Sequence, residues 1–154
     1  MAIEDFDDKV MFTPRIMWFA HVVSQLIFAA IGWTAVEQPD PATVDPTMIY
    51  VIAGLGTVFP LLTPLALPIL VQSMRAGPPV EGQPRPTGPA AAMTVFILDL
   101  AFRETGAIFA LVALFLGATP IIWAVPAAAA MGMMLLAYPT PERLSAWASG
   151  PKEP

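Results

Sequence analysis

Four stretches of this chain, residues 16–36, 48–71, 90–116 and 120–138, are each apolar over close to the roughly 20 residues a helix needs to cross a bilayer core. A single water-facing domain of 154 residues cannot hide all four, because small domains keep much of their surface in water. Composition agrees, with 56% hydrophobic and only 12% charged residues, against about a quarter charged in soluble domains. The expected fold is all-α: a polytopic membrane protein of four transmembrane helices, forming one membrane domain over residues 1–154 with a loop at 72–89.

The basic residues give that bundle a direction. Lys9 and Arg15 precede the first stretch, Arg75 and Arg85 lie between the second and third, and Arg143 and Lys152 follow the fourth. The two loops on the opposite side, residues 37–47 and 117–119, carry no Lys or Arg. By the positive-inside bias, both termini and the middle loop are cytoplasmic in the cell membrane. An acidic run, Glu4, Asp5, Asp7 and Asp8, stands where a cleavable signal would have a basic region. The first stretch is therefore expected to persist as a span. Trp18, Trp33, Tyr50, Trp123 and Tyr138 fall near predicted span ends, where amphipathic rings favour the headgroup level. The segment 75–89, with five prolines and three glycines, reads as an extended linker. Residues 139–144 read as the start of an interfacial helical turn.

Several chemistries are excluded or disfavoured. The chain has no cysteine and one histidine, His21, so thiolate sites and multi-histidine metal sites are absent. A net charge of −5 without a Lys/Arg cluster argues against nucleic acid. No nucleophile and base pair, phosphate loop or metal-ligand cluster stands out, so the expectation is a non-enzymatic protein with no cofactor.

The third stretch contains Asp99, Arg103 and Glu104. Insertion scales place Asp or Arg at a helix centre at about 2.5 to 3.5 kcal/mol each, so their presence needs a reason. Asp99 and Arg103 share a helical face at a spacing of four and can form an ion pair. Glu104 is turned about 100° from Arg103 and must find another partner, a proton or water. It lies almost midway between Ala91 and Leu116, near the bilayer centre. Two readings stand beside each other: a charge cluster that specifies helix packing, or a proton-handling carboxylate.

The second stretch carries Pro60, Pro64 and Pro68 at intervals of four. Each removes a backbone donor and crowds the preceding turn, so a kinked or broken, re-entrant helix is expected. The freed carbonyls are candidate partners for Arg103. Gly54 and Gly56 in the same stretch permit close helix approach. In the first stretch, His21 and Gln25 share a face, with Ser24 beside them. Interhelical hydrogen bonding is one reading of this patch. Ligation of a haem or chlorin, or contact with a quinone, is the other.

In the third stretch, Leu100-Ala101-Phe102, Glu104, Ile108-Phe109, Leu111-Val112, Ala113-Leu114 and Ala118-Thr119-Pro120 together resemble the ion-binding helix of the rotary ATP synthase proteolipid, subunit c. The resemblance covers about a third of the chain. The loop Glu81-Gly82-Gln83-Pro84-Arg85 is similar in character to that family's polar loop. In that family one mid-membrane carboxylate carries the transported ion, and by position the resemblance implies that Glu104 takes this role. The expectation is a small integral membrane subunit with a buried, proton-handling Glu104, supported by the Asp99 and Arg103 pair. The alternative is an accessory or assembly subunit docking onto a larger membrane complex, and a weaker one is a pigment-, haem- or quinone-binding subunit. The expected partners are the lipid bilayer and other membrane subunits or further copies of the chain.

Overall fold

A computed structural model describes residues 6–34, 44–76 and 87–149, with the side chains of residues 75, 76 and 149 outside that description. Five helices account for nearly all of these residues: α1 (Asp8–Thr34), α2 (Pro46–Ala76), α3 (Gly88–Phe115), α4 (Pro120–Leu135) and α5 (Pro141–Ser149). No strand occurs among the described residues. Most of the linker at 75–89, the loop at 37–47 up to residue 43, Arg85 and Lys152 lie outside them.

Local chemistry sets the helix ends. The Asp7 carboxylate accepts the Val10 N–H at 2.9 Å, which starts α1 eight residues before the apolar stretch begins. Asp45 accepts the Thr47 N–H at 2.9 Å, and Pro46 takes the first helical position of α2, where its missing donor costs nothing. At the end of α3 the Gly117 N–H reaches the Leu114 carbonyl at 2.9 Å and the Ala118 N–H reaches the Ala113 carbonyl at 3.0 Å. This paired closure needs a left-handed residue between, supplied by Gly117 at φ 91°. Thr119 and Pro120 follow at once to open α4, so the third and fourth helices fold back through a very short corner. Thr140 accepts the Arg143 N–H at 3.3 Å ahead of Pro141, which makes α5 the helical turn expected there.

Packing is organised around α3, which touches each of the other four helices. Two apolar cores form at its opposite ends. One gathers Met11, Phe96, Leu100, Met134 and Leu144, and the other Ala53, Ala113, Leu114, Ala118 and Trp123. Of the rings near predicted span ends, Trp123 is buried in the second core, whereas Trp33 and Tyr50 are exposed. The outer surfaces of α1 and α2 are apolar, with Phe12, Phe19, Leu61, Leu65 and Ile69 all exposed. Residues Asp8–Thr34 and Pro46–Met74 are long and apolar enough to cross a membrane. The other two stretches fall short by that measure for different reasons. α4 has only 16 residues, and α3 carries three charges in its middle.

Two expectations about α2 are corrected. The helix runs unbroken from Pro46 to Ala76 through Pro60, Pro64 and Pro68, so it is not a re-entrant segment. A proline removes only the donor to the carbonyl four residues earlier. For Pro60 that carbonyl belongs to Gly56, and it is not left bare. It stands 2.6 Å from where a Cβ of Gly106 would be, so it abuts the Gly106 α-carbon and can accept a Cα–H contact. A Cβ on Gly56 would in turn meet the Phe109 Cβ at 2.7 Å. The two glycines let α2 and α3 approach backbone to backbone, where Phe59 and Phe109 stack at 6.0 Å. Gly54 faces open space and takes no part. The freed carbonyls do not receive Arg103, which turns to a different helix.

Candidate functional site

Two polar sites sit on neighbouring faces of α3. The first is the expected pair with an addition. Arg103 Nε donates to Asp99 Oδ1 at 2.8 Å, as the spacing of four allows. The other carboxylate oxygen, Oδ2, accepts from Nη2 of Arg143 in α5, also at 2.8 Å. Asp99 is completely buried and Arg103 nearly so. In the sequence Arg143 reads only as a marker of orientation. Nothing local connects it to a residue 44 positions away.

This Arg–Asp–Arg chain caps the end of α4. The Ala137 N–H goes to the Met134 carbonyl, so the Met133 carbonyl is left to Arg103 Nη1 at 2.6 Å. The Leu136 carbonyl accepts from Arg143 Nη1 at 3.0 Å, and the Met134 carbonyl also accepts from the Trp18 indole at 2.8 Å. Donors from α1, α3 and α5 therefore converge on the negative end of one helix dipole, where cations are favoured. Tyr138 meets Trp18 edge to face at 5.1 Å, and the Arg143 guanidinium lies 4.9 Å from the Trp147 ring. Burial lowers the pKa of Arg143, Asp99 acts to raise it and Arg103 to lower it further. The cluster has two cations, one anion and a ring of carbonyls, with every guanidinium and carboxylate oxygen named above engaged.

The second site is Glu104 with His21 and Ser24 of α1. Ser24 Oγ donates to Glu104 Oε1 at 2.7 Å and stands 2.9 Å from the His21 carbonyl. His21 Nε2 lies 3.4 Å from Glu104 Oε2, and its Nδ1 lies 2.8 Å from the Met17 carbonyl. A carbonyl only accepts, so Nδ1 carries a hydrogen. Nε2 and Oε2 then face each other, and their contact is attractive only with a proton between them, whether as imidazolium and carboxylate or as imidazole and carboxylic acid. Both side chains are about a quarter exposed, at 25% and 22%. Sequence reasoning singled out His21 and Glu104 separately. It had no means of joining residues on two helices.

Ser24 suits either protonation state. With the carboxylate, its hydroxyl donates to Oε1. With a protonated Oε1, the carboxylic acid donates to Oγ, and the serine hydrogen turns to the His21 carbonyl. Arg103, the residue before Glu104, has its guanidinium engaged by Asp99 and Met133. The site therefore sets a carboxyl group beside a histidine ring at 3.4 Å and a serine hydroxyl at 2.7 Å.

Gln25 behaves differently from its neighbours. It is buried at 3% exposure, and neither its amide nitrogen nor its amide oxygen has a hydrogen-bond partner among the described residues. No group of three metal-ligating side chains occurs among the described residues. Comparison of the chain with known protein families, curated proteins and solved structures finds no match.

Proposed function

We propose that this chain is a small, non-enzymatic integral membrane subunit that takes up and releases a proton at Glu104, with His21 and Ser24 as the groups that receive and steer it. The observation that carries this reading is the approach of His21 Nε2 to Glu104 Oε2 at 3.4 Å, a contact that a proton held between the two groups makes attractive. In this reading α1 to α4 all cross the cell membrane, with both termini cytoplasmic. α3 enters hydrocarbon despite its charges because Asp99 and Arg103 compensate each other and Glu104 carries its own proton donor. The likeness of the third helix to the rotary proteolipid falls on this same carboxylate, and the engagement of Arg103 elsewhere removes the obvious obstacle to a protonation cycle beside it.

The test is a pH-difference infrared spectrum of the protein in lipid vesicles, with proton flux across the same vesicles measured in parallel. Glu104→Gln is expected to remove one titrating carboxyl band and any pH-dependent flux, and His21→Gln to shift the pH at which that band titrates. A spectrum unchanged by Glu104→Gln would end the proton role.

A second reading is an accessory subunit docked in a larger membrane complex through the row Leu55, Val58, Leu62, Leu65 and Ile69 on α2, all exposed and apolar. Such a row suits lipid or a neighbouring subunit equally. Mild-detergent purification separates the two outcomes, since a stoichiometric partner favours docking and a chain alone or in homo-oligomers favours the first reading.

A further inference from the structure

Beside the unpartnered Gln25 lies a cavity of about 240 Å³ between α1, α3 and α4. Its wall is almost wholly apolar, and includes Phe28, Ala110, Leu114, Trp123 and Met131. Gln25 is the one lining side chain with an amide, carboxylate or hydroxyl group. The exposed residues Leu26 and Ala128 mark its open side, on the apolar outer surface of the molecule.

A buried amide without partners costs about 1–3 kcal/mol, and natural pockets pair such a group with a ligand atom. The size of the space narrows the ligand. An engineered apolar cavity of about 150 Å³ accepts benzene, so this one has room for a single ring with small substituents. The amide offers N–H donors and a carbonyl acceptor side by side, which complements an oxygen substituent on that ring, either a carbonyl that accepts or a hydroxyl that donates. The mouth opens on apolar surface, so the ligand arrives from lipid and a hydrocarbon tail can remain outside.

We infer that this cavity binds the head group of a lipid-soluble, single-ring carbonyl or phenol of the quinone type, held through Gln25. The assignment rests on the membrane reading for the ligand's route and not on the proton role of Glu104. Trp123 lines the cavity and reports on occupancy, because quinones quench indole fluorescence on contact.

The experiment titrates the full chain in lipid nanodiscs with a 1,4-benzoquinone bearing a short alkyl tail. Saturable quenching is expected, absent in Trp123→Phe and weakened about tenfold in Gln25→Leu, the loss that one or two neutral hydrogen bonds represent. Ala128→Phe, a change at the exposed mouth that leaves the core packing untouched, is expected to weaken it as well, which keeps the test open if the Gln25 variant misfolds. In competition, an alkylphenol should displace the quinone better than an alkylbenzene of equal size. Quenching that stays linear with concentration, equal in wild type and Gln25→Leu, would overturn the assignment. Equal displacement by the alkylbenzene would do the same. Loss of quinone binding with the Glu104 carboxyl band intact would separate this site from the proton site.

Discussion

Asp99 and Glu104 are carboxylates five residues apart on one helix, yet their surroundings follow opposite rules. Asp99 is sealed from solvent between two guanidiniums, and those guanidiniums in turn hold the carbonyls at the end of α4. Glu104 is partly open and faces a serine hydroxyl at 2.7 Å and a histidine ring at 3.4 Å. A fully partnered charge fixes the arrangement of helices around it. A carboxylate with adaptable partners can change its protonation without breaking anything else. On the proton-handling reading, the difference separates framework from function within a single helix.

The largest test of that contrast is Asp99→Ala set against Glu104→Ala. Removing Asp99 leaves the buried Arg103 and the partly exposed Arg143 without the anion they share and is expected to cost about 3–5 kcal/mol, read as a loss of unfolding free energy in detergent. Removing Glu104 breaks one serine hydrogen bond and one partly exposed contact and is expected to cost about 1 kcal/mol. Equal costs would break the distinction.

Gly106→Ala sharpens it by isolating packing from charge. The added Cβ would lie 2.6 Å from the Gly56 carbonyl oxygen and 2.8 Å from a Pro60 ring carbon, so α2 and α3 must separate. The expected cost is about 1–3 kcal/mol, whereas Gly54→Ala, with nothing nearby, should be neutral or slightly stabilising. If Gly106→Ala cost as much as Asp99→Ala, the Asp99 effect would be read as packing.

The smallest effect belongs to Glu142, next to Arg143 but fully outside the cluster. Its own backbone N–H and the Thr140 hydroxyl hold its pKa below the ordinary glutamate range. A carboxylate lowered on folding adds stability above its unfolded pKa and loses it as pH falls through the folded one. Glu142→Gln should therefore flatten the acid limb of the stability profile slightly and leave neutral pH unchanged.

What could be read from residue order was whatever a single helix decides. The spacing of Asp99 and Arg103 announced their pair, and the turn between Arg103 and Glu104 announced that the glutamate would look elsewhere. The helices themselves were legible from apolar length, although α1 begins earlier because the Asp7 cap is a one-residue signal. Contacts between helices were not legible. The sequence points Arg103 to the proline-freed carbonyls of α2, but it reaches α4, whose last turn offers carbonyls with no helical donor and a favourable dipole. The prolines looked disruptive because the missing donors were visible and the glycine that meets the Gly56 carbonyl was 50 residues away.

The link from Asp99 to Arg143 has a bearing on how such a chain is made. Synthesis proceeds from the N-terminus, so on the membrane reading α3 leaves the ribosome with its aspartate half compensated and its arginine still lacking the carbonyl of α4. The arginine finds its carbonyl once α4 is made, and the aspartate finds its second cation only when the chain has been extended through α5. On that reading, release of the last three helices into lipid as a group would be favoured, and a polypeptide truncated before Arg143 would leave Asp99 with one cation in place of two.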